Sequence, residues 1–274
     1  MALKEEEWYG IAFFLPFLLS FFLFIIYPLL YGLMTLTAKE VWVEIFKDAY
    51  LLRALLNTLF YVGVAVNVKM ILAFFLSGLL MYKDDVRLIK FLEWILIIPW
   101  ALPDVTALLG IKWMFNTYWG TFNILLNYLS LPSIDFFNNY FTAMFTIIYT
   151  HIWKFLPLWT LILYSVRLTI PREIYEAAEV DGASDYNRLR FITLPLLRNT
   201  YVFSTVLSTI WVMGDFTTPW LLTGGAPGGS THVAATIGYF YAFLLHEMPQ
   251  GLAANMTLLP LILFLLIIAI KLRG

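Results

Sequence analysis

Cysteine is absent from this 274-residue chain, and charged residues are scarce. Without a thiol, the chain can form no disulfide, no thiolate nucleophile and no cysteine-ligated metal site. Charged residues make up 13% of the chain, against roughly 25% in soluble domains, whereas 61% of the residues are hydrophobic and the mean hydropathy is +0.81. The net charge of −1 provides no basic face for a nucleic acid. The composition therefore indicates one domain embedded in a lipid bilayer.

The apolar residues are concentrated in six segments, each near or above the roughly 20 residues with which a helix spans the hydrocarbon core. They are residues 8–33, 55–82, 90–115, 140–166, 199–222 and 250–272. The first segment is too long for a signal-peptide core, follows the acidic run KEEE and shows no small-residue cleavage site, so we expect it to remain as a helix. The predicted fold class is an all-α membrane protein with six transmembrane helices.

Lysine and arginine are missing from two predicted loops, residues 116–139 and 223–249. Because basic residues are kept on the cytoplasmic side of short loops, we predict that these two loops are external, with Ser133 and Ser230 accessible from outside. The basic residues lie instead in the second loop, around the polar stretch of residues 167–198 and at the end of the chain: Lys83, Arg87, Lys90, Arg167, Arg172, Arg188, Arg190, Arg198, Lys271 and Arg273. Both termini and the polar stretch are therefore predicted to be cytoplasmic, although the first loop is ambiguous.

The polar stretch has the local signals of two short helices. Pro171 suits the first turn of a helix, and Gly182 suits the left-handed position that ends one after about ten residues. Ser184 offers a side-chain cap for a second helix, which leads back into the membrane with Pro195 near the bend. The prediction is a cytoplasmic helical hairpin. Composition alone explains this stretch equally well as a solvated loop.

The sequence EAAEVDGASDYNRLRFITLP resembles the EAA signature of permease subunits in binding-protein-dependent ABC importers. The signature is Glu-Ala-Ala, three residues, Gly, nine residues and Ile-x-Leu-Pro, and its positions here are Glu176, Ala177, Ala178, Gly182, Ile192, Leu194 and Pro195. The resemblance implies that the first short helix, ending near Asp181, is the coupling helix that seats in a cleft of an ATPase subunit. The small alanines would allow close approach, and Glu176 would supply a charge.

Two further stretches, IPWALPDVTALLGIKWMFNTYWGTFN and DFTTPWLLTGGAPGGST, resemble the carbohydrate-type permeases, in particular the larger maltose-permease subunit. The resemblance implies one permease domain over residues 1–274 in the plasma membrane of a prokaryote. It also implies the partners: a second homologous permease, two ATPase subunits, an extracytoplasmic solute-binding protein and a sugar. ATP and Mg would be bound by the ATPase, so this chain would hold no cofactor and would not be an enzyme.

Other motifs give weaker signals. Gly224 and Gly229 are spaced as in a phosphate-binding loop, but Ser230 stands where that loop needs lysine. The histidines, His151, His232 and His246, show no spacing typical of a metal site or a catalytic triad. An ion-coupled secondary transporter is the main alternative; it would have inverted repeats and interrupted helices, neither of which is evident in the sequence. The other alternative is an ABC permease for a non-sugar solute such as glycerol phosphate.

Several charged residues fall within or near the apolar segments, where an unpaired charge is costly, so each should face protein or water. They are Lys69, Asp104, His151, Lys154 and Asp215. Helical spacing puts His151 and Lys154 on one stripe of the fourth helix with Phe155 and Leu158, and Ser208, Val212 and Asp215 on one stripe of the fifth.

In the maltose subunit the sugar contacts come from the two helices that flank the EAA loop. The resemblance therefore predicts a substrate path formed by His151, Lys154, Trp159, Ser208, Trp211 and Asp215. Alternatively, Lys154 and Asp215 only pair with each other to hold two helices together. The sequence as a whole predicts the transmembrane permease subunit of an ATP-driven ABC importer for a sugar or sugar-like solute, working by alternating access.

Overall fold

The computed structural model describes residues 5–81 and 86–271, which form helices, turns and loops without a β-strand. The α-helices are α1 Glu5–Phe21, α2 Tyr27–Thr35, α3 Lys39–Lys47, α4 Ala49–Met81, α5 Val86–Ala101, α6 Asp104–Met114, α7 Thr121–Tyr128, α8 Tyr140–Arg167, α9 Arg172–Val180, α10 Asp185–Arg188, α11 Leu194–Met213, α12 Thr217–Leu222, α13 Ala234–Tyr239, α14 Met248–Met256 and α15 Leu259–Lys271. Three π-helical segments, Phe22–Ile26, Leu189–Thr193 and Phe240–Leu244, continue adjoining helices. The all-α prediction is confirmed.

Within the described residues, four helices are long and apolar enough to cross a bilayer: Ala12–Thr35, Ala49–Met81, Tyr140–Arg167 and Met248–Ile268. The pair Arg87–Ala101 and Asp104–Met114 is a fifth candidate, bent by 94°. The count of six spans stays a prediction. The ends predicted for two segments, at residues 82 and 272, and the basic residues Lys83 and Arg273 lie outside the described residues.

The core lies where α4 and α8 pack along each other. Its buried side chains come mainly from these two helices, with contributions from α6, α11 and α12: Tyr61, Val66, Met70, Phe74, Ile111, Met144, Ile147, Trp159, Leu163, Leu197, Val212 and Leu222. The first apolar helix, by contrast, buries no residue of its most apolar stretch against the rest of the chain. Its apolar surface therefore faces the surroundings of the chain and leaves the core to α4 and α8.

The predicted third segment is interrupted, although its apolar pattern indicates one continuous helix. Helix α5 ends at Ala101 and α6 begins at Asp104, with Pro103 directly before it. Proline disfavours helical backbone in the residue before it and has no N–H to continue the hydrogen-bond ladder, so Leu102 and Pro103 break the helix.

The predicted fifth segment is interrupted as well. Helix α11 ends at Met213, and α12 begins at Thr217. The Asp215 carboxylate accepts a hydrogen bond from the Thr218 backbone N–H at 3.0 Å and so satisfies one free donor in the first turn of α12. Asp215 therefore lies between two helices, and its predicted place on a stripe of the fifth helix is wrong.

The predicted external loop of residues 223–249 folds largely into the protein. Helix α13 packs against α4 and α14, and Asn57 of α4 donates hydrogen bonds to the backbone oxygens of Ser230 at 2.7 Å and His232 at 2.8 Å. Ser230 is only 7% exposed, so the predicted accessibility of this residue is wrong, whereas Ser133 is exposed. A buried backbone needs partners for its polar groups, and Asn57 supplies two of them.

The polar stretch forms the predicted hairpin, α9 followed by α10, which we call the hairpin (residues 172–193). Pro171 precedes α9, and Gly182 has a φ of +78°, the left-handed conformation expected of a residue that ends a helix. The Ser184 hydroxyl accepts the Asn187 N–H, as predicted for a cap. The second helix continues through the π-helical segment into α11, and Pro195 lies in the first turn of α11.

Candidate functional site

Four polar side chains form a connected group between α4, α8 and the break after α11, and we call it the polar cluster: Tyr61, Lys69, His151 and Asp215. The Lys69 ammonium lies 2.9 Å from His151 Nε2, and His151 Nδ1 lies 3.0 Å from Asp215 Oδ2. The Tyr61 hydroxyl donates to the same carboxylate oxygen at 2.6 Å. Lys69 and His151 are 1% and 3% exposed, so these contacts are shielded from solvent. The cluster thus links α4 to α8 and to the residues that follow α11.

With Lys69 charged, the contacts assign one set of hydrogen-bonding roles to the cluster. A charged Lys69 can only donate, so His151 Nε2 has to accept and Nδ1 carries the proton that is donated to Asp215. Asp215 then accepts from His151 and Tyr61 at Oδ2 and from the Thr218 backbone at Oδ1. Nearly all the acceptor capacity of this carboxylate is used within the protein.

A cavity of about 280 Å³ opens beside the polar cluster. Its lining combines the cluster with aromatic side chains: Lys69, His151, Phe155, Trp211, Gly214, Asp215, Phe216 and Thr217. Ligand pockets usually measure roughly 300–1,000 Å³, so this subunit alone provides room for part of a solute. Polar groups set among flat aromatic faces are suited to a sugar, which presents hydroxyls and apolar C–H faces.

The structure brings three of the predicted substrate-path residues, His151, Trp211 and Asp215, to this cavity. Trp159 and Ser208 are 1% and 0% exposed and do not line it, although the Trp159 ring lies 5.7 Å from that of Trp211. The Trp159 Nε1 and Ser208 Oγ atoms make no hydrogen bond within the described part of the chain.

Lys154 is also separate from the cavity. Its ammonium lies 3.0 Å from the Asp104 carboxylate and donates to the backbone oxygens of Leu102 at 2.8 Å and Pro99 at 3.3 Å. The alternative that Lys154 pairs with Asp215 is therefore wrong, because each residue has other partners. Lys154 stabilises the break between α5 and α6, because its ammonium binds carbonyls that have no partner in the hydrogen-bond ladder of the helix.

Six residues of the site are missing from the predicted path: Tyr61, Lys69, Phe155, Gly214, Phe216 and Thr217. The sequence marks Lys69 as a charge inside an apolar segment. Its helix, α4, does not flank the EAA loop, so the predicted substrate path does not contain it. Tyr61 and Phe216 are aromatic residues in a chain with 24 phenylalanines and 16 tyrosines, so their types gave no signal. Only the packing of α4 against α8 and the break after α11 place them together.

The predicted coupling residues lie on a separate, exposed surface of the hairpin. Glu176 and Ala177 are exposed and Ala178 is half-buried, while Asp181, Gly182 and Pro195 are exposed. Val180 is 88% exposed, an unusual position for an apolar side chain on a polar helix. Among the described residues no group of histidine and acidic side chains is arranged to hold a metal ion.

A family model describing the inner membrane component of binding-protein-dependent transport systems matches residues 70–272. The chain belongs to this family. Among curated relatives, the trehalose/maltose transport system permease protein MalF of Thermococcus litoralis is 31% identical over 239 residues, which cover 87% of this chain and 77% of that protein. The sulfoquinovosyl glycerol transport system permease protein SmoG of Agrobacterium fabrum is 36% identical over 178 residues, covering 65% of this chain and 57% of that protein.

Solved structures show the same fold. A chain of a bacterial alginate ABC transporter, crystallised with an alginate pentasaccharide-bound periplasmic protein, superposes with a TM-score of 0.86 at 20% identity over 97% of this chain and 93% of that one. The MetNI methionine ABC transporter matches with a TM-score of 0.55 at 18% identity over 81% of this chain and 95% of that one. The protein therefore has the fold of ABC importer permeases, as predicted.

Proposed function

We propose that this chain is the permease subunit of an ATP-driven importer for a sugar or a sugar-like solute. The observation that supports the solute class is the cavity beside the polar cluster, where hydrogen-bonding groups lie among the aromatic rings of Phe155, Trp211 and Phe216. The relatives agree with it, since they are named as permeases for trehalose or maltose, sulfoquinovosyl glycerol and diacetylchitobiose.

The chain works in this proposal with a second, homologous permease that completes the cavity. A solute-binding protein delivers the solute from outside, and two ATPase subunits bind ATP and Mg. Helix α9 seats in the ATPase through Glu176, Ala177 and Ala178, with Asp181 and Gly182 forming the turn that follows it. Closure of the ATPases moves α9, and the continuous run from α10 into α11 transmits this motion toward the cavity.

The orientation follows from the distribution of lysine and arginine, with both termini and the hairpin in the cytoplasm of a prokaryotic cell. The absence of native cysteine allows a direct test by single cysteines. Cysteine at Ser133 should react with a membrane-impermeant reagent from outside, whereas cysteine at Ser184 should react only after permeabilisation. Both serines are exposed on the surface of the chain, so labelling depends on which side of the membrane each residue faces. Labelling of position 184 from outside would overturn both the orientation and the ATPase contact.

Transport in proteoliposomes tests the proposed function itself. The complex of this chain with its partner permease, ATPases and binding protein should take up a sugar only when ATP is present on the ATPase side. Glu176→Lys reverses a charge on the exposed face of α9 and should uncouple ATP hydrolysis from uptake or release the ATPase. Glu173→Lys places the same change one helical turn earlier, outside the proposed contact, and should leave uptake near the wild-type level.

An ion-coupled secondary transporter also agrees with the two helix interruptions, between α5 and α6 and between α11 and α12. The family match over residues 70–272 favours the ATP-driven importer instead. The same proteoliposomes separate the two: uptake driven by a proton or sodium gradient without ATP would support the secondary transporter, and uptake that needs ATP and survives collapse of the gradients would exclude it.

A further inference from the structure

Lys69 is a buried ammonium group with spare hydrogen-bonding capacity. It has three N–H donors, and its hydrogen bond within the described residues is to His151 Nε2. Its other neighbours are two aromatic rings, with centroids 5.7 Å away for Phe155 and 6.0 Å away for Trp159. No carboxylate of the described residues lies within ion-pair distance of it. Two N–H groups of a buried cation are thus left for another acceptor.

The acidic member of the polar cluster does not fill this need. The charge of Asp215 is near enough to interact with that of Lys69, but no direct hydrogen bond joins the two side chains within the described residues, and the Asp215 oxygens already accept from His151, Tyr61 and the Thr218 backbone. The oxygens of Asp215 are therefore nearly all used, whereas in the described part of the chain the Lys69 ammonium makes one hydrogen bond, to an imidazole, and otherwise lies beside two aromatic faces. A buried charge is costly unless it is paired and hydrogen-bonded.

The cavity puts a solute within reach of this cation, because Lys69 is one of its lining residues. A neutral hydroxyl can accept one N–H but brings no charge. An acidic group supplies several oxygen acceptors for the two remaining N–H groups and forms an ion pair with the ammonium, which a hydroxyl cannot do.

We propose that the transported solute carries an acidic group, a carboxylate, phosphate, sulfate or sulfonate, which binds Lys69 in this cavity. This inference rests on the proposed function, of which it specifies the substrate class as acidic sugars. Phe155 and Trp211 then face the apolar side of the sugar, and the acidic group lies at the lysine end of the cavity. Lys69 is a specificity-determining residue in this proposal, since it distinguishes an acidic sugar from its neutral parent.

The test compares matched sugars in proteoliposomes that contain the complete complex. The panel is glucuronate, galacturonate and glucose 6-phosphate, each beside its neutral hexose, with glycerol 3-phosphate as an acidic solute that is not a sugar. The variants are Lys69→Met, which removes the charge, and Lys69→Arg, which keeps it. Lys112→Met is the matched control, because Lys112 is exposed and lies outside the cavity. The binding protein is the same throughout, so differences between variants report on the permease.

Wild-type transporter should take up an acidic sugar in preference to its neutral parent. Lys69→Met should raise the KM for that sugar on the order of 10- to 100-fold at unchanged assembly, Lys69→Arg should recover part of the uptake, and Lys112→Met should resemble wild type. If the Lys69→Met complex does not assemble, the test is whether the wild-type transporter takes up the acidic sugar in preference to its neutral parent.

Preferred uptake of the neutral hexoses, with a KM unchanged by Lys69→Met, would overturn the acidic-group assignment and leave a sugar importer. Uptake of glycerol 3-phosphate alone, lost in Lys69→Met, would support the assignment to Lys69 while showing that the solute is no sugar. ATP-independent uptake of any of these solutes would instead contradict the proposed function, so the two failures are distinguishable.

Discussion

Polar side chains occur in two regions with opposite surroundings, the polar cluster beside the cavity and the hairpin. In the cluster, Lys69 and His151 are almost fully buried and bonded to each other. In the hairpin, the main ion pairs join Arg188 to Glu179 and Asp185, whose carboxylates are 71% and 74% exposed. Polar and charged side chains therefore meet a desolvated environment in one region and water in the other.

The difference separates the polar groups that link membrane helices and face the cavity from those that are available to a protein partner. Buried polar groups lose their solvation and need partners in the protein, so removing a member on which several of them depend is costly. Exposed ion pairs are screened by water and contribute little. The hairpin can therefore offer its charges to another protein at small cost to its own fold.

Asp215→Ala should give the largest loss of stability. It leaves the donors of Tyr61, His151 and the Thr218 backbone without an acceptor and removes the only acidic member of the cluster. Removing one partner of a buried pair typically costs about 3–5 kcal/mol. The unfolding free energy of the detergent-solubilised subunit measures this, with Asp181→Ala, at an exposed position, as the control. Equal stability of the two variants would show that burial does not distinguish the regions.

Lys154→Met should be next, with a loss of about 2–3 kcal/mol, because the carbonyls of Pro99 and Leu102 lose a buried charged donor. Asp104→Asn should cost less than about 1 kcal/mol, since the Asp104 side chain is 55% exposed.

Double-mutant cycles on unfolding free energy test which partner Lys154 has. The cycle of Lys154 with Asp104 should show coupling, whereas the cycle of Lys154 with Asp215 should be additive within about 0.5 kcal/mol, because these two share no hydrogen-bond partner in the described residues. Strong coupling between Lys154 and Asp215 would restore the pairing that the structure contradicts.

The hairpin could be predicted in detail because its signals are local. Proline before a helix, glycine in a left-handed turn and serine as a cap act within a few residues of the chain, and Gly182 and Ser184 have the conformations expected of them. The all-α class was predictable for a similar reason, since the length of an apolar run reports directly on the thickness of the bilayer.

The cavity could be predicted only in part, because its geometry depends on long-range contacts. Helical spacing treated residues 90–115 and 199–222 as continuous helices, yet both are interrupted, and the break after Met213 moves Asp215 off the stripe. The sequence pattern also could not predict which polar groups pair, because the partners are far apart in the chain. Lys69 and His151 are 82 residues apart, and Lys154 lies 52 residues from Leu102, whose carbonyl it binds. Because these groups are buried, each needs a hydrogen-bond partner, but the sequence does not specify which residue that partner is.

The same substitution, glycine to alanine, should have opposite effects in the hairpin and in a membrane helix. Gly182 has a φ of +78° and no atom within 4 Å of an added Cβ, so Gly182→Ala introduces backbone strain alone, at a cost of about 1 kcal/mol. Gly63 lies inside α4 with equally open space, so Gly63→Ala should stabilise the helix by about 0.5–1 kcal/mol. Hydrogen exchange should be faster in the hairpin of the first variant and slower in α4 of the second. The same sign in both would contradict the role of the left-handed turn.

Arg188→Gln should have the smallest effect on the fold. Arg188 donates to Glu179 at 2.9 Å and also contacts Asp185, but both carboxylates remain largely in water, where an ion pair adds little to what solvation already provides. The thermal midpoint of the isolated subunit should therefore match that of wild type within error, at both low and high salt. The assembled complex can differ, because a bound ATPase would exclude water from this surface and strengthen its electrostatics. A salt-dependent loss of ATPase binding with an unchanged midpoint would show that the hairpin charges serve the partner. A large drop in the midpoint would show that they hold the hairpin together as the polar cluster holds the membrane helices.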